Sequence, residues 1–554
     1  MKRLVMMTIV LLIVVGAAFA GGQGEQAAAT AEAIELNELG ELPLVNQKVT
    51  VEMFAQDPAY IVDWNTNDFT VWYEEQTNVH VEWNLAPSES LEEKRSLLLA
   101  SGDYPEVFFY AGITREEEVM HGSQGAFIPL NDLIDEHAIE LQKVFGQRPF
   151  LRGATTTPDG NIYTMPSINE CYHCLHSVRA YINQGWLDQL GLDMPTTTEE
   201  FRDVLIAFRD QDPNGNGMDD EIPLTGATTG WETNVANFFI NAFIYNEPPD
   251  RFYINDGIVD VNYNKNEFQD ALRFLNGLYE EGLIAPEAFT QDAPQLLQTG
   301  TDPNYETIGV GVASLWWSVV GQDEVINTDG TIRNRNYRAL PPLEGPDGVQ
   351  YATYRPFGTF SPMLAITPEA RYPELIVRWA DKLYNPEYTL YANRGPNEGE
   401  DWRRAEPGEI GINGKPAIWK NLEEFTSNLF NNRWANMGTM FRSSDYRLGQ
   451  VAPPNNPWES EVRLYNISAN VYHPHVPTED MLLPPIYVLP DEVGELARLK
   501  TTINDYVDES IARFITGDLD IESDWEEYVA ELDIIGLDRY LEIHQDAYDR
   551  QYGD

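Results

Sequence analysis

The sequence predicts an α/β fold, because segments with the pattern of strands alternate with segments that have the pattern of helices. Residues 49–54 alternate apolar and polar side chains, as a half-buried strand does, and residues 107–110 form the continuous apolar run expected of a buried parallel strand. Between them, residues 91–101 mix leucines with charged side chains, as surface helices do. This alternation is characteristic of α/β proteins. A chain of 554 residues, 43% of them apolar, is long enough for two or more domains.

Further strands and helices follow in the same alternating order. Pro195-Thr196-Thr197 lies just before two glutamates and predicts a helix with threonine caps and an acidic first turn. Trp379, Trp525 and Tyr540 lie in helical patterns and are predicted to be core residues. The other predicted elements are strands at 79–83 and 180–183, helices at 68–76, 184–190, 266–281, 373–383, 491–514 and 524–532, a helix that begins at 129–134, and apolar segments at 222–224, 308–317 and 360–366.

Residues 212–221 have the sequence of a calcium-binding loop. The order Asp-Pro-Asn-Gly-Asn-Gly-Met-Asp-Asp-Glu alternates carboxylates and amides around two glycines. Ca²⁺ takes about six to eight oxygen ligands, and glycines permit the sharp turns that bring such ligands together. The predicted ligands are Asp212, Asn214, Asn216, the Met218 carbonyl, Asp220 and Glu221.

The loop departs from the EF-hand pattern in one position. An EF-hand carries a bidentate glutamate at its twelfth position, where this chain has Pro223. The acidic ligands therefore come early, at Asp220 and Glu221, and we expect a structural calcium site of another type. The alternative is a solvated Asx/Gly turn without an ion.

The first 20 residues have the features of a secretory signal. Lys2 and Arg3 precede an apolar stretch at 4–15, and Ala18-Phe19-Ala20 matches a small-x-small cleavage site. No cysteine for lipid attachment follows the apolar stretch, so we expect an exported periplasmic or extracellular protein without that anchor. Residues 21–42 are rich in Gly, Gln, Ala and Glu, which predicts a flexible tether.

The net charge argues against several classes of partner. The formal charge is −53 and the isoelectric point is near 4.3, so binding to nucleic acid or to an anionic membrane surface is not expected. An acidic polymer is an unfavourable ligand unless its site is locally basic.

Cys171 and Cys174 are the two cysteines of the chain, in the sequence Cys-Tyr-His-Cys-Leu-His. A disulfide suits an exported protein. Free thiols, a zinc site with His173 and His176, and a redox-active pair are the alternatives, although the histidine spacing is not standard for zinc and no βαβ context for a redox pair is evident.

Several motifs, in order along nearly the whole mature chain, resemble those of extracellular solute-binding proteins of ABC importers. The similarity is greatest to the branch of the alginate-oligosaccharide-binding proteins and the lipoprotein LipO type. The motifs are Ser-Gly-Asp-Tyr-Pro-Glu-Val at 101–107, Tyr-Ile-Asn-Gln-Gly-Trp-Leu-Asp-Gln-Leu-Gly-Leu at 181–192, Pro-Thr-Thr at 195–197, the loop at 212–223, Asn-Glu-Gly-Glu-Asp-Trp at 397–402, Phe-Ile-Thr-Gly at 514–517, Trp525, and Gly-Leu-Asp-Arg-Tyr at 536–540.

The resemblance implies a periplasmic-binding-protein fold of the class II type, with two α/β lobes, a hinge and a ligand cleft. We expect the first lobe at 43–175 plus about 362–430 and the second at 176–361 plus about 431–554. The implied function is capture of a carbohydrate, an oligosaccharide in particular, by lobe closure and delivery to the permease, with no chemistry on the solute. The protein is expected to be a monomer, and the resemblance supports the same calcium ligands.

A sugar site combines aromatic rings, which cover the apolar faces of the sugar, with polar groups that bind its hydroxyls. Trp316 and Trp317 are the leading candidates, because two adjacent residues on a strand point to opposite faces, which would turn at least one ring to the cleft. For each candidate the alternative is ordinary packing or a surface ion pair. The candidates are Trp64, Asp103, Tyr110, Trp231, Trp316, Trp317, Tyr354, Arg355 and Arg442.

Three other functions compete with this interpretation. A secreted glycoside hydrolase needs two carboxylates across a cleft, and acidic residues are plentiful here, yet no hydrolase motif is present. Some binding proteins of this architecture carry peptides instead of sugars. A calcium-dependent adhesion module would more often be repetitive and all-β.

Overall fold

The computed structural model describes residues 34–322, 325–327, 330–357, 359–422, 429–454 and 456–553. The predicted signal at 1–20 and most of the predicted tether at 21–42 lie outside these residues. Within the described part of that tether, Leu36 forms an antiparallel bridge with Val45, so regular backbone contacts begin before residue 42.

Fourteen strands are described, and ten of them form two main sheets. The first sheet has the strand order β14-β4-β11-β3-β1-β2, and the second has the order β10-β5-β9-β6. The strands are β1 (Val49–Asp57), β2 (Val79–Pro87), β3 (Val107–Phe109), β4 (Thr164–Asn169), β5 (Ala180–Asn183), β6 (Ile222–Thr225), β7 (Phe252–Asn255), β8 (Ile258–Val261), β9 (Ile308–Val312), β10 (Tyr337–Ala339), β11 (Thr359–Ile366), β12 (Trp402–Arg404), β13 (Trp419–Asn421) and β14 (Phe441–Arg442).

Helices cover the sheets and fill the C-terminal region. Thr197 caps α8 as the sequence predicts: its hydroxyl accepts the Glu200 N–H at 3.1 Å. The helices are α1 (Asp68–Thr77), α2 (Leu91–Ser101), α3 (Arg115–Ser123), α4 (Asn131–His137), α5 (Ile139–Gln147), α6 (Phe150–Ala154), α7 (Gln184–Leu190), α8 (Thr198–Asp210), α9 (Val235–Ile240), α10 (Asn266–Glu280), α11 (Ala293–Gly300), α12 (Trp317–Val320), α13 (Pro373–Lys382), α14 (Pro386–Arg394), α15 (Ser444–Leu448), α16 (Ser460–Ile467), α17 (Val493–Thr516), α18 (Trp525–Ile535) and α19 (Leu537–Tyr552).

The strands of each sheet run mainly in one direction. In the first sheet β1 is parallel to β2 and β3, β14 is parallel to β4, and β11 is antiparallel to both β3 and β4. Five strands therefore point one way and β11 the other. In the second sheet β6 is parallel to β9, and β5 is antiparallel to β9 and β10, so β5 alone is reversed.

Buried side chains form a separate core around each sheet. Val49, Val51 and Met53 of β1 are buried while Thr50 and Glu52 between them are exposed, which confirms the predicted alternation. The core of the second sheet includes β5, β9, α8 and α10, and it continues into α17, α18 and α19. Trp379, Trp525 and Tyr540 are buried as predicted.

One close approach explains a glycine in β9. A Cβ on Gly311 would lie 2.4 Å from the Val319 Cγ1 atom, so glycine lets α12 pack directly on the strand.

Two features differ from the sequence-based expectations. The two-residue strand β14 pairs with β4 in the first sheet, whereas residues from about 431 onward were assigned to the second lobe. Trp316 and Trp317 do not lie on a strand: β9 ends at Val312, and the Ser314 N–H donates to the Trp231 carbonyl at 3.0 Å instead of continuing the sheet.

Candidate ligand-binding site

Most strands of each sheet end at the same edge, and the chain passes from one sheet to the other at this edge. In the first sheet, β1, β2, β3, β4 and β14 all end at the same edge, and in the second sheet β6, β9 and β10 do so. We call these the facing edges. Ligands of open α/β sheets bind beyond the carboxyl ends of the strands, so the facing edges are where a site is expected.

Two passages connect the facing edges directly. Residues 170–179 lead from the end of β4 to the start of β5, and residues 340–357 lead from the end of β10 towards β11. The Arg355 N–H donates to the Leu175 carbonyl at 3.0 Å, which joins the two passages. Such paired passages are the elements about which lobes of this kind can rotate.

The first passage contains both cysteines. Cys171 and Cys174 form a disulfide, and the His173 side chain lies beside them. Because both thiols are in the bond, they are not the thiolates that a zinc ion would need. Burial, with the charges of Arg447 and Arg179, lowers the pKa of His173 to about 2, so this imidazole is neutral.

A cavity of about 730 Å³ opens beside the end of β6. Its lining includes the Trp231 ring, 43% exposed, together with Asn234, Asn237 and Arg355. Prolines at 248–249 and 484–485 add apolar wall. An exposed aromatic ring next to amide and charged groups is the combination that binds a sugar's faces and hydroxyls.

Arg355 organises the acidic side of this cavity. Its Nη1 donates to Ser177 Oγ at 2.6 Å and to Glu232 Oε1 at 2.7 Å, and its Nε donates to Glu247 Oε1 at 3.3 Å. Burial by itself would lower the pKa of Arg355, but Glu232 and Glu247 hold that pKa above its usual value. Burial raises the pKa of Glu247 in spite of Arg355.

Six of the nine nominated ligand residues lie at the facing edges or in the passages near them. Trp231 and Arg355 line the cavity, and Trp317 is half-buried just beyond β9. Tyr354 packs against the His176 ring at 5.3 Å between centroids. Tyr110 follows β3 directly and Arg442 ends β14.

Tyr110 and Glu232 both have a left-handed backbone, with φ of 48° and 55°. Non-glycine residues pay a conformational penalty there, and such residues concentrate at ligand sites.

The other three nominated residues lie elsewhere or are enclosed. Asp103 is exposed in the loop before β3, at the opposite edge of the first sheet from the facing edge. Trp64 is 1% exposed and packs against Trp83 and Trp434 at 4.6 and 5.7 Å between ring centroids. Trp316 is 2% exposed, with the Arg463 guanidinium 3.9 Å above its ring. The Trp64 and Trp316 rings are therefore packed in the interior and do not lie on an open surface.

Sequence reasoning missed several aromatic residues at the same edges. Tyr60 follows β1, and its hydroxyl lies 3.5 Å from that of Tyr110. Tyr172 in the first passage packs on Tyr465 at 5.2 Å between centroids. The carboxyl-end rule applied to β1 is the signal that would have found Tyr60, whereas the contact with Tyr465 depends on a separation of nearly 300 residues.

The predicted calcium loop lies at the opposite edge of the second sheet. The Asp212 carboxylate accepts the N–H groups of Asn216 and Gly217 at 3.1 and 3.0 Å. The amides of Asn214 and Asn216 reach the Asp220 carboxylate at 3.0 Å. The loop therefore folds its oxygen-bearing side chains into one small space.

The end of the calcium loop also lies next to the amino ends of β6 and β9. The Ile222 N–H donates to the Thr307 carbonyl at 2.8 Å. Glu221 Oε1 is buried and has no hydrogen-bond partner among the described residues. Burial, with the charges of Asp220 and Asp212, raises the pKa of Glu221.

None of the helices in the described ranges is both long and apolar enough to cross a membrane.

Comparison with known proteins identifies relatives along most of the chain. The family model for bacterial extracellular solute-binding proteins matches residues 50–389, which is more than half of the chain. The fructooligosaccharide ABC transporter substrate-binding protein FusA of Streptococcus pneumoniae serotype 4 is 29% identical over 527 residues, covering 92% of this chain and 91% of that protein.

Solved structures share the fold. FusA of S. pneumoniae in complex with kestose superimposes with a TM-score of 0.74 and 26% identity, covering 91% of this chain and 99% of that one. Another structure of that protein is described as an EF-hand mutant in complex with fructo-nystose. An HMO-binding solute-binding protein from Bifidobacterium longum infantis gives a TM-score of 0.77 at 19% identity, covering 92% of this chain and all of that one.

Proposed function

The chain belongs to the bacterial extracellular solute-binding protein family, and we propose that it captures an oligosaccharide between its facing edges and delivers it to the permease of an ABC transporter. The observation that carries the proposal is the cavity of about 730 Å³ beside Trp231 and Arg355, which lies next to the end of β6 and borders the second passage at Arg355. The named substrate of the 29% identical S. pneumoniae relative supports a carbohydrate over a peptide.

Binding without chemistry fits the pairing of the acidic groups around the cavity. Glu232 and Glu247 both contact Arg355. Asp250 accepts from Lys500 at 2.9 Å, and Asp508 accepts from Arg251 at 2.7 Å. A hydrolase would need one protonated acid and one free base or nucleophile across the sugar. Carboxylates that are each held by a cation are suited to hydrogen-bonding hydroxyl groups instead.

The passages give the capture mechanism. Rotation about residues 170–179 and 340–357 would bring the facing edges together around the solute, and only the ligand-bound, closed form would present the surface that a permease recognises. We also propose an extracytoplasmic location, because a protein that delivers its solute for import has to contact the permease at the outer face of the cytoplasmic membrane. A monomer suffices for this mechanism.

We also propose that Asp212, Asn214, Asn216, Met218, Asp220 and Glu221 hold a structural Ca²⁺. The loop's donors are oxygens, its acidic groups repel one another, and the buried Glu221 Oε1 is without a partner among the described residues. These properties fit a hard divalent cation. When bound, the ion would supply charge neutralisation to a loop that joins α8 to β6.

Calorimetry against a panel of oligosaccharides, with analysis of the sugars afterwards, tests the transport function. We expect saturable binding with a stoichiometry of one and recovery of intact sugar. Steady release of reducing ends would replace the proposal with a hydrolase, and binding of peptides but no sugars would replace its substrate.

A further inference from the structure

A group of three arginines lies at the facing edge of the first sheet, next to the start of the first passage. We call Arg394, Arg442 and Arg447 the arginine cluster. Arg442 ends β14 and pairs in register with Asn169 at the end of β4. Arg447, on α15, donates to Asn169 Oδ1 at 3.0 Å, and Arg394 ends α14.

The three guanidinium groups are close enough to influence one another. Burial, followed by the charge of Arg447 and then that of Arg394, lowers the pKa of Arg442 to about 9. Burial and Arg394 likewise lower the pKa of Arg447, against the opposing effect of Glu461. The cluster therefore produces a local positive potential in a chain whose formal charge is −53.

The cluster has fewer acidic partners than its charge requires. Glu461 Oε2 lies 3.7 Å from Arg447 Nη2 and 3.6 Å from His173 Nδ1. In the part of the chain that the structure describes, no carboxylate forms an ion pair with Arg394 or Arg442. Arg394 instead stacks over the Trp419 ring at 4.6 Å.

Two of the three arginines also have a hydrogen-bond donor that is not used within the described ranges. The Nε atoms of Arg394 and Arg442 are buried and have no acceptor among the described residues. Arg442 is 8% exposed, and its Nη1 contacts Asn436 Oδ1. Burying an arginine without an acceptor is unfavourable, because the guanidinium loses water and gains nothing in return. Solvent still reaches the edge of the cluster, since the Arg447 side chain is 12% exposed.

We infer that the captured oligosaccharide carries a negatively charged substituent, a carboxylate or a sulfate ester, which binds at the arginine cluster. The inference rests on the proposed function and adds the chemical class of the solute to it. Planar guanidinium groups match both anions with paired hydrogen bonds. The acidic surface elsewhere on the chain makes a basic site within the facing edges a selective one.

Two matched pairs of sugars test the inference by calorimetry. The first pair is tri-galacturonate and its fully methyl-esterified form, and the second is a galactose trisaccharide with and without 6-sulfate. Kestose serves as a neutral probe outside the pairs. We expect the charged member of at least one pair to bind about tenfold or more tightly than its neutral partner, as hydrogen bonds to charged groups predict. A difference in affinity within the first pair indicates a carboxylate substituent, and a difference within the second pair indicates a sulfate ester.

Variants link the selectivity to the cluster. Arg447→Gln is expected to remove most of the difference between charged and neutral sugars, and Arg447→Lys to keep part of it because the charge remains. Arg442→Gln, checked by its thermal melt, is the second variant. Arg513→Gln is the matched control, since Arg513 lies on α17 with a side chain that is 44% exposed.

The outcomes separate the inference from the function on which it rests. If neutral sugars, kestose included, bind as tightly as charged ones and Arg447→Gln weakens both equally, the inference is overturned while the transport function stands. If no sugar in the panel binds to a folded protein, both fall.

Discussion

Replacing Glu118 by glutamine is predicted to remove a pH-dependent part of the protein's stability. Glu118, on α3, is fully buried and accepts hydrogen bonds from Thr164 Oγ1 at 2.7 Å and from the Tyr487 hydroxyl at 2.8 Å. The Arg115 guanidinium lies 5.0 Å from the Tyr487 ring. Burial raises the pKa of Glu118 from 4.5 to about 7, although Thr164, Tyr487 and Arg115 oppose the shift.

The sign and size of the effect follow from that pKa. Folding favours the protonated form, so the contribution of Glu118 to stability is complete below the unfolded pKa of 4.5 and is lost as the pH rises through 7. Between pH 5.5 and pH 8 the loss amounts to about 2 kcal/mol, taking about 1.4 kcal/mol for each unit of pKa difference.

The assay is urea unfolding of the wild type and of Glu118→Gln at both pH values. The lower pH stays above the isoelectric point near 4.3, where the protein would lose solubility. The difference in unfolding free energy between the two proteins should change by about 2 kcal/mol, in favour of the variant at pH 8. Other titrating groups cancel in this difference.

Tyr487→Phe supplies a matched control. It removes a hydrogen bond that favours the ionised carboxyl group, so it should raise the pKa of Glu118 and enlarge the pH dependence. A difference between wild type and Glu118→Gln that stays constant within about 0.5 kcal/mol across this range would refute the reasoning.

Three further predictions concern the calcium loop and the cavity. Asp212→Ala should lower the melting temperature and abolish its rise with added calcium, which fluorimetry with and without chelator tests. Sugar affinity, measured by calorimetry, should change less than about twofold, because the five residues of β9 place about 16 Å between the loop and the facing edge. A large loss of affinity in a folded variant would contradict this prediction. Trp231→Ala should weaken sugar binding, measured by calorimetry, about tenfold or more. The melting temperature should stay unchanged, because the ring is 43% exposed. Equal affinity of the variant and the wild type would exclude the ring from the site. Arg355→Met should lower the unfolding free energy by about 2 kcal/mol in urea, because Glu232 and Glu247 lose their shared cation, and no change would mean that these carboxylates are already solvated.

Local patterns predicted most of the fold. The alternation of residues 49–54, the continuous apolar run at 107–110 and the threonine cap at 197 depend on neighbours close in the sequence, and the structure has β1, β3 and α8 at these places. The family resemblance then supplied the two-sheet architecture. Strand β14 was missed because a two-residue strand has no period, and its place is set by pairing with β4, more than 270 residues earlier.

The site was predicted less completely for the same reason. Trp231 and Arg355 were predicted from residue type and position, and both line the cavity. The network that joins Arg355 to Ser177, Glu232 and Glu247 could not be predicted, because it spans separate segments of the chain. Asp103 was predicted from its position in a loop next to a strand, yet it precedes β3 and therefore lies at the opposite edge. Once a strand is assigned, the sequence shows whether a residue precedes or follows it, and in a sheet whose strand directions are known this predicts the edge at which the residue lies.

The crystal structure of the protein with a bound oligosaccharide tests the central claim most directly. The account predicts sugar density between the facing edges, with one ring against Trp231 and hydroxyl groups hydrogen-bonded to the carboxylates around Arg355. Density at the opposite edge of either sheet, near Asp103 or the loop at 212–221, would contradict it.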